Sequence, residues 1–308
     1  MNFIWFDAAI CETTMYYRSR KTFEPARDIP DLSGKVVVVT GGNAGLGAET
    51  IKRLAAHNPR RFYLCARSSA QAKSFIEQMK AELPSAVIEA VDFDLSSLAS
   101  AKSAAASILR STDRVDLLFL NAGVAGTAPV LTQDGYEWHF GVNHLAHAQF
   151  VQVLMPLLVQ TARGGDRDSD AAKAFAPKQG LVLDEVRGDM AGLGGMARYG
   201  HSKLANVLFA KKLAQMYPCI RSIAVHSGLR TRAKPMEPGV LTVEEGAKTQ
   251  LWAATASKAQ SGKFYFPIRK EGDGGKHRND LKMNDNLWRW TEKKLAQNRG
   301  RGWTEGRL

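Results

Sequence analysis

Four consecutive valines, Val36 to Val39, form the clearest apolar run in the chain. A continuous β-branched run marks a strand buried on both faces of a parallel sheet, because alternation is needed only where one face meets water. After it the period changes. Ile51, Leu54 and Ala55 recur at helical spacing, which predicts a helix from about Leu46 to His57. Arg61 to Cys65 reads as a second strand, and Ala70 to Glu82 as a second helix stopped before Pro84. Ala86 to Phe93 and Val115 to Leu120 are the next strands, with a helix from Ser97 to Leu109 between them. A long helical pattern runs from Tyr136 to Gln160, and another helix from about Gly200 to Met216. The last predicted elements are a strand at Ile220 to Val225, a helix at Val243 to Ala256 and a short strand at Lys263 to Phe266. Strands alternating with helices predict an α/β fold, a Rossmann-type doubly wound parallel sheet in a single domain.

The domain is expected over residues 31–295, with an N-terminal extension over 1–30 and a basic C-terminal tail over 296–308. The lead-in from Arg18 to Gly34 is polar and punctuated by Pro25 and Pro30. The apolar start, Phe3 to Ile10, carries Asp7 and has no basic residue before Arg18, the reverse of a secretory signal. It reads as a segment that packs on the domain or frays from it, in preference to a membrane-surface anchor. No run approaches the roughly 18–20 apolar residues that span a bilayer, so membrane contact is not expected. Cys11, Cys65 and Cys219 are too few and too far apart for a disulfide framework or a zinc site, which favours a reducing, cytoplasmic setting and no metal.

Composition changes this picture little. With 44% hydrophobic and 23% charged residues the chain is ordinary for a globular protein, but its net charge of +12 raises a nucleic-acid reading. The basic residues are spread along the chain with no zinc-finger spacing or interleaved aromatic motif. Attraction of anionic phosphates, including those of a cofactor, accounts for part of the charge, and no nucleic-acid partner is expected.

Chemistry concentrates first at Thr40-Gly41-Gly42-Asn43-Ala44-Gly45-Leu46-Gly47, directly after the valine strand and directly before a helix. In that context glycines permit a sharp turn, a close approach of backbone to a pyrophosphate and tight packing of helix on sheet. The helix start offers N–H groups and a positive dipole end to phosphates. The candidate cofactor-binding residues here are Gly41, Asn43, Gly45, Leu46 and Gly47. At the end of the second strand, where NAD sites place an acidic residue, the chain has Ala66-Arg67-Ser68. Arg67 can pair with a 2′-phosphate and Ser68 can donate to it, so NADP is the expected cofactor.

Further motifs follow in a fixed order: Asp94-Leu95, Asn121-Ala122-Gly123, Gly141-Val142-Asn143-His144-Leu145 and Tyr199-Gly200-His201-Ser202-Lys203. With the glycine turn, they make the chain from about Pro30 to Leu295 resemble the short-chain dehydrogenase/reductase family, and more narrowly its retinol-dehydrogenase-like branch with many fungal members. The resemblance implies that Asp94 contacts the adenine, that Asn121 lies against the cofactor and that Asn143 supports a water-linked proton relay. It implies that Tyr199 exchanges a proton with a carbonyl or alcohol substrate while Lys203 binds the nicotinamide ribose. Residues four apart share a helix face, so Lys203 can stand beside Tyr199; its charge would favour the phenolate and lower the tyrosine pKa from about 10. The family's dimers commonly pair the Asn and Tyr helices, so the resemblance leaves the oligomeric state open between a monomer and a homodimer.

Two departures stand out. Relatives carry a fifth parallel strand ending in a serine that bonds the substrate carbonyl, whereas Thr161 to Asp170 holds no apolar run. The fifth strand is therefore expected to be altered or missing, and Ser169 is the nearest candidate for the serine. Leu181-Val182-Leu183 is the alternative strand segment. After the sixth strand, His226-Ser227-Gly228-Leu229-Arg230-Thr231 keeps Gly228 and Thr231, the expected nicotinamide contact, but loses the family's proline. Two functions follow: an NADP(H)-dependent oxidoreductase interconverting a carbonyl and an alcohol, with a place in natural-product chemistry implied by the resemblance, or a catalytically impaired NADP(H)-binding scaffold or sensor.

Overall fold

The valine run forms β1, Val36–Thr40, and all five of its residues are buried. The computed structural model describes residues 23–67, 69–164, 170–173, 180–227, 241–266, 269–272, 277 and 279–297. Within them a one-turn helix α1 (Pro25–Asp28) precedes β1, and α2 (Gly45–Ala55), β2 (Arg61–Ala66), α3 (Ser69–Glu82), β3 (Ile88–Asp92), α4 (Leu98–Ser111) and β4 (Leu117–Phe119) follow. Next come the long helix α5 (Trp138–Gly164), β5 (Asp170–Lys173), α6 (Gly195–Met216), β6 (Arg221–Val225), α7 (Val243–Thr255), β7 (Phe264–Phe266), β8 (Lys270–Glu271) and α8 (Leu281–Gln297).

The strands make one eight-stranded sheet in the order β3-β2-β1-β4-β5-β6-β7-β8, parallel except for the β7–β8 pair. Val37 and Val39 face one layer with Ile51, Leu54, Leu251 and Trp252 from α2 and α7. Val36 and Val38 face the other with Ala101, Phe150 and Leu204 from α4, α5 and α6. Both faces of β1 are thus covered, which is why the run needs no polar alternation. The order reverses between β1 and β4, so their carboxyl ends open a crevice where α/β sheets bind ligands.

Phe23 and Ile29, 1% and 4% exposed, pack into the α2/α7 layer. A fifth strand is present, so of the two expectations, altered or missing, the altered strand is the one found. Its strand character comes from backbone pairing, not from an apolar run, and the pairing is slight. One register pair, Leu117↔Asp170, joins it to β4, and its register against β6 shifts between Ala171 and Lys173. Leu181-Val182-Leu183 is not a strand; Leu181 and Leu183 pack on the core and the Val182 N–H donates to His201 Nε2 at 2.8 Å.

Helix α5 has the length and mean hydropathy of a membrane span, contrary to the sequence expectation, but 72% of its most apolar window is buried inside the protein. Its apolarity serves the core. The C-terminal helix α8 was not predicted. Leu287, Trp288 and Leu295 are buried, Trp288 stacks on Phe209 at 5.8 Å, and Trp290 meets Phe140 edge-on at 5.6 Å. With the Lys212–Asp285 pair at 2.6 Å, these contacts lay α8 over α5 and α6, the helices implied as a dimer face.

Candidate active site

At the end of β1 the chain turns through Gly41 and Gly45, whose φ values of 66° and 53° lie in the left-handed region. Gly47 is required for a different reason. A Cβ there would stand 2.2 Å from the Gly41 carbonyl oxygen and 2.7 Å from Asn121 Nδ2, so the first turn of α2 can approach β1 only without a side chain. No side chain caps α2 at Ala44, so no cap takes up its first N–H groups at the positive end of the helix dipole. Leu46 is buried against the core, and Asn43 Nδ2 donates to Gln71 Oε1 at 3.1 Å. Arg67, exposed at the end of β2, lines the same cleft as Gly41, Asn43, Gln71 and Asp94. Glycines that keep the turn open, an uncapped helix start and an arginine on the rim together suit a phosphorylated dinucleotide.

The far wall is set by Asp94 and the segment after β4. Asp94 Oδ1 accepts the Ser96 N–H at 2.9 Å and Oδ2 accepts from Gln133 at 3.2 Å, so the carboxylate shapes the wall. Asn121 Nδ2 donates to the Thr40 carbonyl at 3.0 Å, and the Ala122 N–H donates to Thr40 Oγ1 at 3.0 Å. Thr40 Oγ1 also lies 3.0 Å from His147 Nε2, while His147 Nδ1 lies 3.1 Å from the Asn143 carbonyl oxygen. A carbonyl can only accept, so Nδ1 carries the proton and Nε2 accepts from the Thr40 hydroxyl. Burial pushes the His147 pKa down to about 4, consistent with that neutral form. The Thr40 and His147 roles were missed in the sequence. The available signal was a histidine one turn after Asn143 on the same helix face.

Asn143 sits in a π-turn, Gly141–Leu145, within α5. Its side chain accepts the Val124 N–H at 2.8 Å and donates to the Val124 carbonyl at 3.0 Å and to Ser202 Oγ at 2.9 Å. Its backbone carbonyl accepts from Asn206 Nδ2 at 2.9 Å. One residue thereby joins the β4 segment, α5 and α6. Lys203 is buried on α6 with Nζ 5.4 Å from the centroid of the half-buried Tyr199 ring. The expected lowering of the tyrosine pKa is not what the structure gives. Burial pushes the Tyr199 phenol up to about 12. Lys203 Nζ and Asn143 Oδ1 both stand close to Gly123, which lines the cleft with Thr40 and Gly41, and Tyr199 lies beside Lys203, whereas Ser68, Ser169 and Thr231 lie outside the described residues.

A doubly wound sheet with a glycine turn at its switch point, and a Tyr/Lys pair on a neighbouring helix, defines a dinucleotide-dependent class of oxidoreductase fold. Residues 35–166 match the short chain dehydrogenase family. The short-chain dehydrogenase/reductase drtF of Aspergillus calidoustus is 32% identical over 307 residues, covering 87% of this chain and 96% of that one. Retinol dehydrogenase 12 of Mus musculus is 30% identical over 273 residues, covering 83% and 85%. Among solved structures, an uncharacterized protein from Mycobacterium paratuberculosis superposes with a TM-score of 0.73 at 23% identity, over 90% of this chain and 98% of that chain. NADPH-bound carbonyl reductase from chicken fatty liver gives 0.61 at 23% identity, over 76% and 97%. The chain belongs to the short-chain dehydrogenase/reductase family, with similarity to fungal members and to retinol dehydrogenases, as its motifs imply.

Proposed function

We propose that the chain is an NADP(H)-dependent oxidoreductase that interconverts a carbonyl and an alcohol. The observation that carries this reading is the approach of Lys203 Nζ and Asn143 Oδ1 to Gly123, which lines the cleft with Thr40 and Gly41, with the Tyr199 ring beside the lysine. Arg67 on the cleft rim supports NADP over NAD, since a guanidinium matches a 2′-phosphate in charge and in hydrogen-bond geometry. The name of the NADPH-bound carbonyl reductase with the same fold agrees with it.

When bound, the nicotinamide supplies or accepts the hydride. The chain's own part is proton transfer and positioning. The Tyr199 hydroxyl, kept protonated by burial, gives its proton to the substrate oxygen in reduction and takes it back in oxidation. Lys203 holds positive charge beside the ring that must bear the phenolate as the proton leaves. Asn143 holds Val124 and Ser202 in place around that pair. A small or medium apolar substrate, as in fungal natural-product chemistry, is the class we favour.

A second reading, binding without catalysis, is favoured by the single register pair that joins β5 to β4, where the family's substrate serine would stand. NADPH consumption across a panel of ketones and aldehydes separates the two. Turnover that vanishes in Tyr199→Phe supports the enzyme, and saturable NADPH binding with no turnover on any carbonyl supports the scaffold.

A further inference from the structure

Thr127 follows the cleft floor where the chain leaves Val124, and two buried side chains take all of its polar atoms. Arg198 Nη2 donates to the Thr127 carbonyl at 2.8 Å. His139 Nε2 faces the Thr127 N–H at 3.4 Å and Oγ1 at 3.2 Å. Both side chains converge on Glu137, whose Oε1 lies 2.7 Å from His139 Nδ1 and 3.3 Å from Arg198 Nε. Its second oxygen accepts the Phe140 N–H at 2.7 Å. With the Nδ1 proton given to Glu137, Nε2 offers its lone pair to the two Thr127 donors. Glu137, His139 and Arg198 are 1%, 0% and 2% exposed.

An ion pair withdrawn from water returns little net stability, because desolvation offsets the attraction; what it does fix is geometry. The geometry here is specific. Arg198 also donates to the Leu193 carbonyl, so it spans the Thr127 segment and the chain entering α6. A Cβ on Gly195 would come 3.1 Å from the Thr127 oxygen, so glycine lets the first turn of α6 lie against that segment. Arg198 is followed directly by Tyr199, whose ring meets the edge of the His139 ring at 6.2 Å and 75°.

We propose that Glu137, His139 and Arg198 are positioning residues that lock the Thr127 segment against the start of α6, making it the fixed wall of the substrate pocket beside Tyr199. This rests on Tyr199 being the proton-transfer residue. A fixed wall selects substrates by shape, so loosening it should weaken substrate binding without touching the dinucleotide cleft.

The test is amide hydrogen exchange, read by mass spectrometry over residues 124–131 and 36–40, in wild type, Arg198→Lys and His139→Gln. Arg198→Lys keeps the charge against Glu137 but cannot span both carbonyls. Exchange over residues 124–131 should quicken by at least about tenfold in each variant while 36–40 stays protected. NADPH affinity should stay within about twofold, and KM for 9,10-phenanthrenequinone as probe should rise by about tenfold with kcat nearly unchanged. Exchange over 124–131 equal to wild type in both variants overturns the proposal whether or not the probe is turned over. Tyr199→Phe is the separate control: it should exchange like wild type, and its retention of turnover would overturn the reading of Tyr199 while leaving the wall intact.

Discussion

Lys203 and Asn143 converge on Gly123: a Cβ at that glycine would lie 3.2 Å from Lys203 Nζ and 3.0 Å from Asn143 Oδ1. The floor of the cleft is therefore as narrow as the backbone allows where the two polar groups meet. Gly123→Ala should push at least one of them aside and lower kcat by roughly tenfold or more, since small displacements of positioned groups are costly to turnover. Stopped-flow turnover with unchanged circular dichroism checks this. Wild-type kcat in the alanine variant would show that the convergence has no part in the reaction.

Gly47→Ala tests the cofactor turn. The added methyl meets the Gly41 carbonyl at 2.2 Å, a backbone atom that cannot swing away. Overpacking of this kind costs about 1–3 kcal/mol, and the displaced helix start should also weaken NADPH binding by at least tenfold. Fluorescence titration reads the binding and chemical denaturation the stability.

Arg67 is exposed, so its interaction with a 2′-phosphate is screened by water. Charge-assisted hydrogen bonds are worth about 1.5–3 kcal/mol, and taking the lower end predicts roughly a tenfold loss of NADPH affinity in Arg67→Ala. NADH affinity should not move. Equal losses for both dinucleotides would mean that Arg67 does not read the phosphate.

Three buried histidines make stability depend on acid. Burial pushes the pKa of His144 down to about 3, and those of His147 and His201 to about 4. Between these values and the unfolded value near 6.5, the unfolded chain binds protons that the folded chain refuses. Their contribution is thus complete above pH 6.5 and is lost as the pH falls toward the folded values, by about 1.4 kcal/mol for each pH unit and each histidine. Urea denaturation at pH 7 and pH 5 should show the drop, and a flat profile over that interval would contradict it.

Helix α8 closes the outer side of α5 and α6, and Trp288 is 5% exposed in that seam. Trp288→Ala should cost about 3–5 kcal/mol. Sedimentation of the wild-type protein reports in parallel whether a dimer forms with α8 in place.

Much of this was legible in the chain because periodicity carried it. The valine run gave β1, and Ile51, Leu54 and Ala55 gave α2 within two residues at either end. The glycine turn and Arg67 were legible and line one cleft, and the Tyr199/Lys203 spacing was legible as two groups side by side on one helix. β5 was illegible because Asp-Ala-Ala-Lys has no apolar pattern; backbone pairing supplies what side chains do not announce. α8 was passed over because its basic, polar residues mask Leu287, Trp288, Thr291 and Leu295, which recur at helical spacing. The cluster around Glu137 was hidden for a different reason. A buried ion pair between Glu137 and Arg198 joins positions far apart in sequence, and no local rule links them.

In the proposed reaction Tyr199 moves the proton while hydride passes between an NADP cofactor and a carbonyl. Reduction of a ketone with NADPH deuterated at the transferring C4 position tests it most directly, with the alcohol analysed by mass spectrometry. Wild-type protein should place one deuterium on the carbinol carbon, and Tyr199→Phe should do so at a rate lower by about 10²–10⁴-fold. Undiminished deuterium transfer by Tyr199→Phe would contradict it.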